Sequence, residues 1–566
     1  MDARLGDDGP VRVPRPDPLP RDVPFRRAAA ADRARGVRAV GAGPGAAVHG
    51  RGPQGVVAEE DHPGRQDGLS VLASTVGIFR TKSVEDAIAS TDEPGQRLRK
   101  SLSAWDLTVF GVGVIIGTGI FVLTGEAAGT RAGPAVALSF VVSGIVCALA
   151  ALCYAEFAST VPVAGSAYTF SYASLGEVVA WIIGWDLILE LALGASTVAV
   201  GWSSYAADLL GQTLGLAVPA WLYSATPSPT QPNLIAAAVV LVLTAVLCVG
   251  TKTSARFNAV VVGIKLAVVG VVIVAGLFFV KVSNWSPFVP PTGSAGASST
   301  PADPSLWQDL GLPLGTFGVG GILTAAALVF FAFIGFDIVA TAAEETKNPQ
   351  RDVPRGIFGS LAVCTALYVL VSLVVTGMVR YDEISVEAPL ANAFRAVGAD
   401  VVATLISVGT VAGLLTVMMI LMLGQSRVLF AMARDRLIPA WFSKVSERTQ
   451  VPVRITAITG VVVAVVAAVT PISDLAEMVN IGTLFAFVLV SVGVVVLRRT
   501  RPDLPRAFRV PWVPVLPIAS ALAAVVLMGF LPAVSWVRLG IWMALGLLVY
   551  LAYGYRHSRL ARRPGA

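Results

Sequence analysis

The sequence predicts an all-α integral membrane protein with about twelve transmembrane helices. Hydrophobic residues make up 55% of its 566 positions and charged residues only 14%, with a mean hydropathy of +0.73. An ordinary soluble domain carries about 25% charged residues, so lipid has to cover much of this chain. The apolar residues also come in blocks of roughly 20, the length that crosses a hydrocarbon core of about 30 Å.

Twelve apolar blocks between residues 104 and 554 set the predicted organisation of the chain. Residues 1–78 are rich in Arg, Ala, Gly and Pro and lack a hydrophobic period, which is typical of a disordered extension. The favoured explanation, however, is a start codon placed too far upstream. The remaining predicted parts are a cytoplasmic N-terminal segment (79–103), a ten-helix core (104–497), a basic cytoplasmic loop (498–512), two accessory transmembrane helices (513–554) and a basic cytoplasmic tail (555–566).

The basic residues predict which side of the membrane each loop occupies. If the N-terminus is cytoplasmic, the inside segments carry 22 Lys and Arg residues and the outside segments carry five. Cytoplasmic loops are enriched in Lys and Arg, so this ratio predicts that both termini are cytoplasmic. The net charge of +6 is therefore explained by basic residues in the cytoplasmic loops, and nucleic acid is not an expected partner.

The cysteine and histidine content argues against a metal site or a disulfide framework. The three histidines are far apart in sequence, and the cysteines lack the short paired spacing of metal ligands. All four cysteines fall inside apolar blocks and are interpreted as small core residues: Cys147, Cys153, Cys248 and Cys364.

Two of the apolar blocks contain signals for a break in the helix. The first block has four glycines between Gly111 and Phe121, and the sixth places Gly335 and Asp337 at membrane depth. Each glycine costs a helix about 1 kcal/mol relative to alanine, so such a run permits unwinding. Unwound backbone in a bilayer survives only where it lines a cavity or is buried in protein. Helices one and six hold equivalent places in two sets of five, which is the pattern of an inverted-repeat transporter.

The two predicted breaks offer complementary backbone groups to a zwitterion. Freed N–H groups in the first break could receive a carboxylate, and freed carbonyls in the sixth could accept hydrogen bonds from an ammonium. Packing is the alternative for the first break, since Gly113 and Gly117 also form a small-xxx-small contact face. The candidate substrate-binding residues are Ile116, Gly117, Thr118, Gly119, Phe331, Ala332, Ile334 and Phe336.

Four ionisable residues lie at membrane depth: Asp186, Glu190, Lys265 and Asp337. Each costs about 2.5–3.5 kcal/mol on insertion scales, so each is a candidate for a proton or cation role. Asp186 and Glu190 are four residues apart and so share a helix face. The structural alternative is that Lys265 pairs with one of the carboxylates and only holds the bundle together.

Six segments in order resemble the amino acid–polyamine–organocation superfamily, and within it the cationic amino acid transporter family with its bacterial relatives. The resemblance covers approximately residues 79–555. Its most specific segment is Ala343–Pro354, which reads AEETKNPQRDVP. The other segments are Leu107–Phe121, Glu156–Tyr168, Gly184–Glu190, Phe330–Asp337 and Gln425–Pro439.

The resemblance implies a leucine-transporter-like fold of five plus five inverted repeats followed by two extra helices. It implies that the substrate carboxylate binds the break in helix one and the amine binds carbonyls of helix six. It also implies that Lys265 occupies the place where sodium-coupled relatives hold sodium, which points to proton coupling or sodium-independent exchange. The expected protein is an amino acid permease of the plasma membrane, with a proton as coupling ion, no other cofactor, and an amino acid and lipid as partners.

The substrate stays open at this level. Glu190 or Asp337 could serve a cationic side chain, which slightly favours cationic or broad specificity, although relatives with the same acids also carry small neutral amino acids. Residues 416–419 of helix eight are expected to line the side-chain pocket. An enzyme is disfavoured because no nucleophile–base pair or ligand set is apparent at depth. A channel would not call for paired broken helices. The alternatives that remain are a non-transporting amino acid sensor and an amino acid/polyamine exchanger.

Overall fold

The computed structural model describes most of the chain from residue 102 onward. The described residues are 102–160, 166–216, 218–219, 222–250, 255–294, 296, 303–312, 314–446, 449 and 451–559. The predicted N-terminal extension 1–78, nearly all of segment 79–103 and the end of the tail lie outside the described residues.

Helices account for the architecture of the described part. β structure is limited there to isolated bridges, such as the one between Leu102 and Thr346. The helices that we number are α1 (Ala104–Ile115), α2 (Val136–Thr160), α3 (Glu177–Leu214), α4 (Leu234–Val249), α5 (Ala255–Leu277), α6 (Gly318–Val329), α7 (Pro349–Met378), α8 (Asp400–Arg434), α9 (Val453–Val469), α10 (Ile472–Thr500), α11 (Val515–Met528) and α12 (Ala533–Val549).

Eight helical stretches of the described chain are long and apolar enough to span a membrane. The shorter apolar helices are α1, α4, α9 and α11. Large apolar side chains such as Val242, Val274 and Ile541 remain exposed on the helix faces, which suits a lipid environment. The chain is therefore a multi-pass membrane protein, whereas twelve crossings and the five-plus-five repeat stay predictions.

Local sequence signals set several helix ends. Ser103 and Asp106 form a capping box at the start of α1, where the Asp106 N–H donates to Ser103 Oγ at 3.3 Å. Asn233 caps α4 by accepting the Ala236 N–H at 2.9 Å. Gly215 ends α3 with a φ of +62°, a conformation that favours glycine. α10 continues to Thr500, past the predicted core boundary at 497.

Small residues bring α3 and α8 close together along much of their length. Leu421 of α8 packs over Gly194, and Leu191 of α3 packs over Gly424. In the absence of a hydrophobic driving force between lipid-embedded helices, this close backbone approach maximises van der Waals contact. The α3–α8 pair therefore forms one firm wall of the bundle.

Tryptophans attach the last helix to the core. The Trp185 and Trp542 rings stack with centroids 4.6 Å apart, and each Nε1–H donates to the other's carbonyl oxygen. The Trp181 Nε1–H donates to the Gly546 carbonyl at 2.9 Å. These buried indole hydrogen bonds fix α12 against α3, beside the core.

A partly buried ion pair joins the C-terminal ends of α2 and α10. Arg498 donates to both carboxylate oxygens of Glu156, at 2.8 and 2.6 Å, in the bidentate geometry that strengthens such pairs. The Val510 N–H also donates to Glu156 at 2.7 Å. One carboxylate thus holds two helices and the following loop together.

Replacing Glu156 with glutamine should destabilise the fold without touching the broken helices. Removing one partner leaves Arg498 half-buried without its counter-charge, and we expect a loss of about 2 kcal/mol. Thermal unfolding in detergent measures it. Arg380→Gln is the matched control, because the Arg380–Asp382 pair is solvent-exposed and should contribute little. An unchanged unfolding temperature for Glu156→Gln would contradict this role.

Candidate functional site

The first transmembrane segment is broken where its glycines predict a break. α1 stops at Ile115, and Ile116 is extended, with φ −70° and ψ 99°. After Gly117 the chain resumes as short helical pieces: Gly119–Leu123, Thr124–Ala127 and Ala128–Ala132. The interruption deprives the last carbonyls of α1 of their usual partners four residues on.

The sixth segment changes geometry twice. α6 gives way to a 3₁₀ turn at Phe330–Phe333, and Ile334 is extended, with φ −61° and ψ 134°. Gly335 has a φ of +114°, which side chains rarely adopt, and a Cβ there would lie 2.6 Å from Val114 Cγ1. The helix resumes only at Ile338–Thr341. The break in segment six therefore packs directly against the end of α1.

A small cavity of about 20 Å³ lies between the two breaks. Its walls combine backbone of both breaks with apolar side chains of α3 and α8, and Thr118 supplies a hydroxyl. The lining residues are Val114, Ile115, Gly117, Thr118, Gly119, Gly194, Val198, Phe331, Ile334, Val417 and Leu421. A larger groove of about 590 Å³ on the outer face of α5 is lined only by apolar residues and glycine, and it lies away from both breaks.

A short helix, Pro389–Ala396, closes over the continuation of segment one. Tyr205 of α3 donates to the Phe121 carbonyl at 2.7 Å and accepts the Leu390 N–H at 3.4 Å. Arg395 donates to Asp208 of α3 at 2.8 Å. Since a 20 Å³ cavity holds roughly one water, a larger molecule does not fit into it in this conformation. Entry of a larger molecule requires the broken helices or this cover to move.

Two buried side chains donate hydrogen bonds to carbonyls that the first break leaves without helical partners. Lys265 of α5 is 1% exposed, and its Nζ donates to the Gly113 carbonyl at 2.7 Å. The Tyr368 hydroxyl of α7 lies 2.9 Å from the carbonyl oxygens of both Ile115 and Ala332. A hydroxyl has one proton and can donate to only one of them at a time. Tyr368 therefore links the two breaks through a shared hydrogen bond.

An amide performs the equivalent task for the sixth segment. Asn480 of α10 is fully buried, and its Nδ2 donates to the carbonyls of Ala327 and Leu328 at 2.7 and 2.9 Å. In a continuous α-helix these carbonyls would bond the N–H groups of residues 331 and 332. The 3₁₀ turn removes those partners, and the amide replaces them.

The three carboxylates at membrane depth form one cluster, apart from Lys265. Glu190 interacts electrostatically with Asp337 and Asp186 and faces Thr483 of α10. Asp186 is fully buried, and neither of its oxygens has a hydrogen-bond partner within the described chain. No ion pair joins Lys265 to a described carboxylate. The structural alternative, in which Lys265 pairs with a membrane-depth carboxylate to hold the bundle together, is therefore not found among the described residues.

The structure sorts the predicted substrate residues into two groups. Five of them line the cavity: Gly117, Thr118, Gly119, Phe331 and Ile334. Ile116, Ala332 and Phe336 are buried beside it but are not part of its lining. Phe336 instead packs edge-on against Tyr154, with ring centroids 5.7 Å apart. Helix eight contributes Val417, which lies within the expected stretch 416–419, and Leu421, which lies beyond it.

Sequence reasoning missed Tyr368, Asn480 and the α3 residues of the cavity wall. Tyr368 and Asn480 are neither charged at neutral pH nor part of a predicted break, the two signals that marked candidate residues in the sequence. Asn480 carries an amide in an apolar stretch, and buried amides in membranes also need partners. That signal could have identified it.

Replacing Tyr368 with phenylalanine should slow uptake about tenfold in a protein that still folds. The change removes the hydroxyl between the two breaks and leaves a buried carbonyl unsatisfied. Uptake kinetics in proteoliposomes measure the effect. Tyr172→Phe is the control, because it deletes an equally buried hydroxyl that contacts Glu177 instead. Equal uptake by both variants would contradict a role for the Tyr368 bridge.

Two interrupted helices that face each other across a small cavity, in a multi-pass helical bundle, are the arrangement expected of a membrane transporter of small molecules. The sequence profile of the amino acid permease family matches residues 102–553. The chain belongs to this family, within the amino acid–polyamine–organocation superfamily. It is a transporter and not an enzyme.

Relatives with known assignments differ in substrate. The chain is 46% identical to the branched-chain amino acid permease BcaP of Bacillus subtilis, over 85% of this chain and 99% of that protein. It is 45% identical to the methylthioribose transporter of the same organism, again over 85% and 99%. It is 40% identical to the vacuolar cationic amino acid transporter 2 of Arabidopsis thaliana, over 75% of this chain and 64% of the plant protein.

Proposed function

We propose that this permease carries neutral, mainly apolar L-amino acids across the plasma membrane by proton-coupled, sodium-independent transport. The observation that carries the proposal is the lining of the cavity. Residues of both breaks line it, as binding of a carboxylate and an amine by their backbone would need, and the rest of the wall is apolar or glycine. Both termini are expected on the cytoplasmic side.

The side-chain end of the cavity favours an aliphatic substrate over a cationic one. Gly194 and Val198 of α3 and Val417 and Leu421 of α8 form this wall. A lysine or arginine side chain would need a carboxylate there, because burying an unpaired charge is costly. Glu190 and Asp337 are not among the lining residues. The cationic preference considered from sequence is therefore the weaker choice within broad specificity.

The position of Lys265 supports proton coupling. Its ammonium binds the end of α1 through a charge-assisted hydrogen bond, which is roughly twice as strong as a neutral one. Loss of the proton would weaken the attachment of α1 and so favour movement of the broken helix. A change in the protonation of Lys265 can thus shift the equilibrium between conformations of the helix bundle.

Uptake by purified protein in proteoliposomes tests the proposal. The panel is labelled leucine, isoleucine, alanine, lysine and arginine, each with and without an inward proton gradient and with and without sodium. We expect accumulation of the neutral amino acids, dependence on the proton gradient and indifference to sodium. Preferential uptake of lysine or arginine would overturn the substrate class. Specific binding without uptake or counterflow would favour an amino acid sensor.

Methylthioribose is a second candidate substrate, favoured by the 45% identity to a transporter of that compound. Its methylthio group is apolar and would suit the same wall, but it offers no ammonium or carboxylate to the two breaks. Competition against labelled leucine separates the two cases. We expect unlabelled isoleucine to inhibit uptake strongly and methylthioribose to inhibit it weakly.

A further inference from the structure

The two broken helices are attached to the bundle by chemically different side chains. Lys265 binds the end of α1 through an ammonium that can gain or lose a proton. Asn480 binds the end of α6 through an amide, which keeps its donors at every physiological pH. Both side chains are buried, and both bind carbonyls that the breaks leave without helical partners.

The environment of Asn480 indicates that its donor function is what matters. Its amide oxygen is buried with no hydrogen-bond partner among the described atoms, which costs stability. A leucine of similar size would avoid that cost but would remove the side-chain donor from the Ala327 and Leu328 carbonyls. The amide thus stabilises the 3₁₀ turn that presents Phe331 and Ile334 to the cavity.

We propose that Asn480 is a positioning residue that holds segment six in its substrate-binding geometry, independently of the protonation state of Lys265. This inference rests on the proposed amino acid transport. It assigns the two breaks separate tasks: the attachment of α1 responds to the proton, and the attachment of α6 keeps the amine-binding carbonyls in place. Asn480 therefore sets the affinity for the amino acid, and the proton dependence stays with Lys265.

The test compares three variants of the full-length permease in proteoliposomes: N480L, N480D and S491A. Uptake of labelled leucine is measured at two assay settings, pH 5.5 and pH 7.5, and gives the KM and the maximal rate of each variant. Each KM is expressed relative to the wild-type KM at the same pH. Ser491 is the matched control, because it is a buried residue of α10 whose hydroxyl donates to Ser520 at 3.0 Å, away from the breaks. Thermal unfolding in detergent monitors folding.

We expect N480L to raise KM about tenfold while uptake keeps its stimulation by a proton gradient. N480D should raise KM by less than N480L does, because a carboxyl buried against two carbonyl oxygens stays protonated and can still donate one hydrogen bond. Its relative KM should therefore be the same at pH 5.5 and pH 7.5. S491A should keep the wild-type KM, whatever its effect on unfolding.

Wild-type uptake together with an unchanged KM in folded N480L would overturn the inference and leave the proposed function intact. Loss of proton stimulation in N480L would also overturn it, because the two attachments would then not be independent. If N480L fails to fold, N480D decides: a raised KM with intact proton stimulation supports the inference, and a wild-type KM overturns it. Absence of amino acid uptake by the wild type would overturn the proposed function and the inference together.

Discussion

Replacing Lys265 with alanine should abolish proton-driven accumulation while amino acid exchange stays measurable. Lys265 binds the Gly113 carbonyl at the end of α1, and the cavity is lined by other residues. Removing the ammonium therefore leaves the substrate groups in place but deletes the attachment that a proton can switch. We expect the ratio of internal to external leucine under an inward proton gradient to fall to about 1, since coupling then contributes no bias.

Two further variants make this experiment specific. Lys265→Met keeps the aliphatic stem that packs over Gly413, so it separates loss of charge from loss of packing. Lys281→Ala removes an exposed lysine just beyond the end of α5 and should accumulate leucine normally. Counterflow of labelled leucine against unlabelled leucine shows that binding survives in each variant. Normal proton-driven accumulation by Lys265→Ala would refute the coupling role.

The breaks in segments one and six could be predicted because their cause is local. The glycines that permit each break lie within a short stretch of sequence. Gly335 adopts a positive φ that other residues rarely adopt, so no distant residue is needed to explain why it interrupts a helix. The family resemblance then added the broad architecture. The rotation of α8 could not be predicted in this way. Val417 and the two methionines that follow it are all apolar, so the pattern does not say which of them faces the cavity.

The side chains that complete the breaks depend on tertiary packing. Tyr368 reaches carbonyls that lie 253 and 36 residues away in sequence, and Asn480 reaches carbonyls 153 and 152 residues away. Hydrophobic period and motif spacing carry no information about such pairs. The same limit applies to Lys265. The amino-acid sequence does not say whether its ammonium pairs with a carboxylate or donates to a backbone carbonyl. Charge alone favoured neither, and the fold brought it to α1.

Alanine at position 119 should eliminate transport, whereas alanine at position 117 should be tolerated. A Cβ at 119 would fall on the Cα and Cβ atoms of Ala332, backbone and side chain of the opposite break. A Cβ at 117 would lie 3.5 Å from Val417 Cγ1, an ordinary van der Waals distance. One methyl group thus forces the two broken segments apart in the first case and only narrows the cavity in the second.

Uptake of labelled leucine by the two variants measures the contrast, with thermal unfolding as the check on folding. We expect uptake to fall by about 100-fold or more for Gly119→Ala and by no more than about threefold for Gly117→Ala. Gly117→Phe extends the series, because a ring at this position would fill the cavity and should abolish binding without pushing on Ala332. If Gly119→Ala transports normally, then segments one and six do not need the close contact seen here, and the cavity between them would not be the place where substrate binds. If Gly117→Phe binds leucine with unchanged affinity, the first break is not the carboxylate site, whatever the outcome for Gly119→Ala. The pair of outcomes therefore separates the contact between the broken segments from the binding of substrate at their ends.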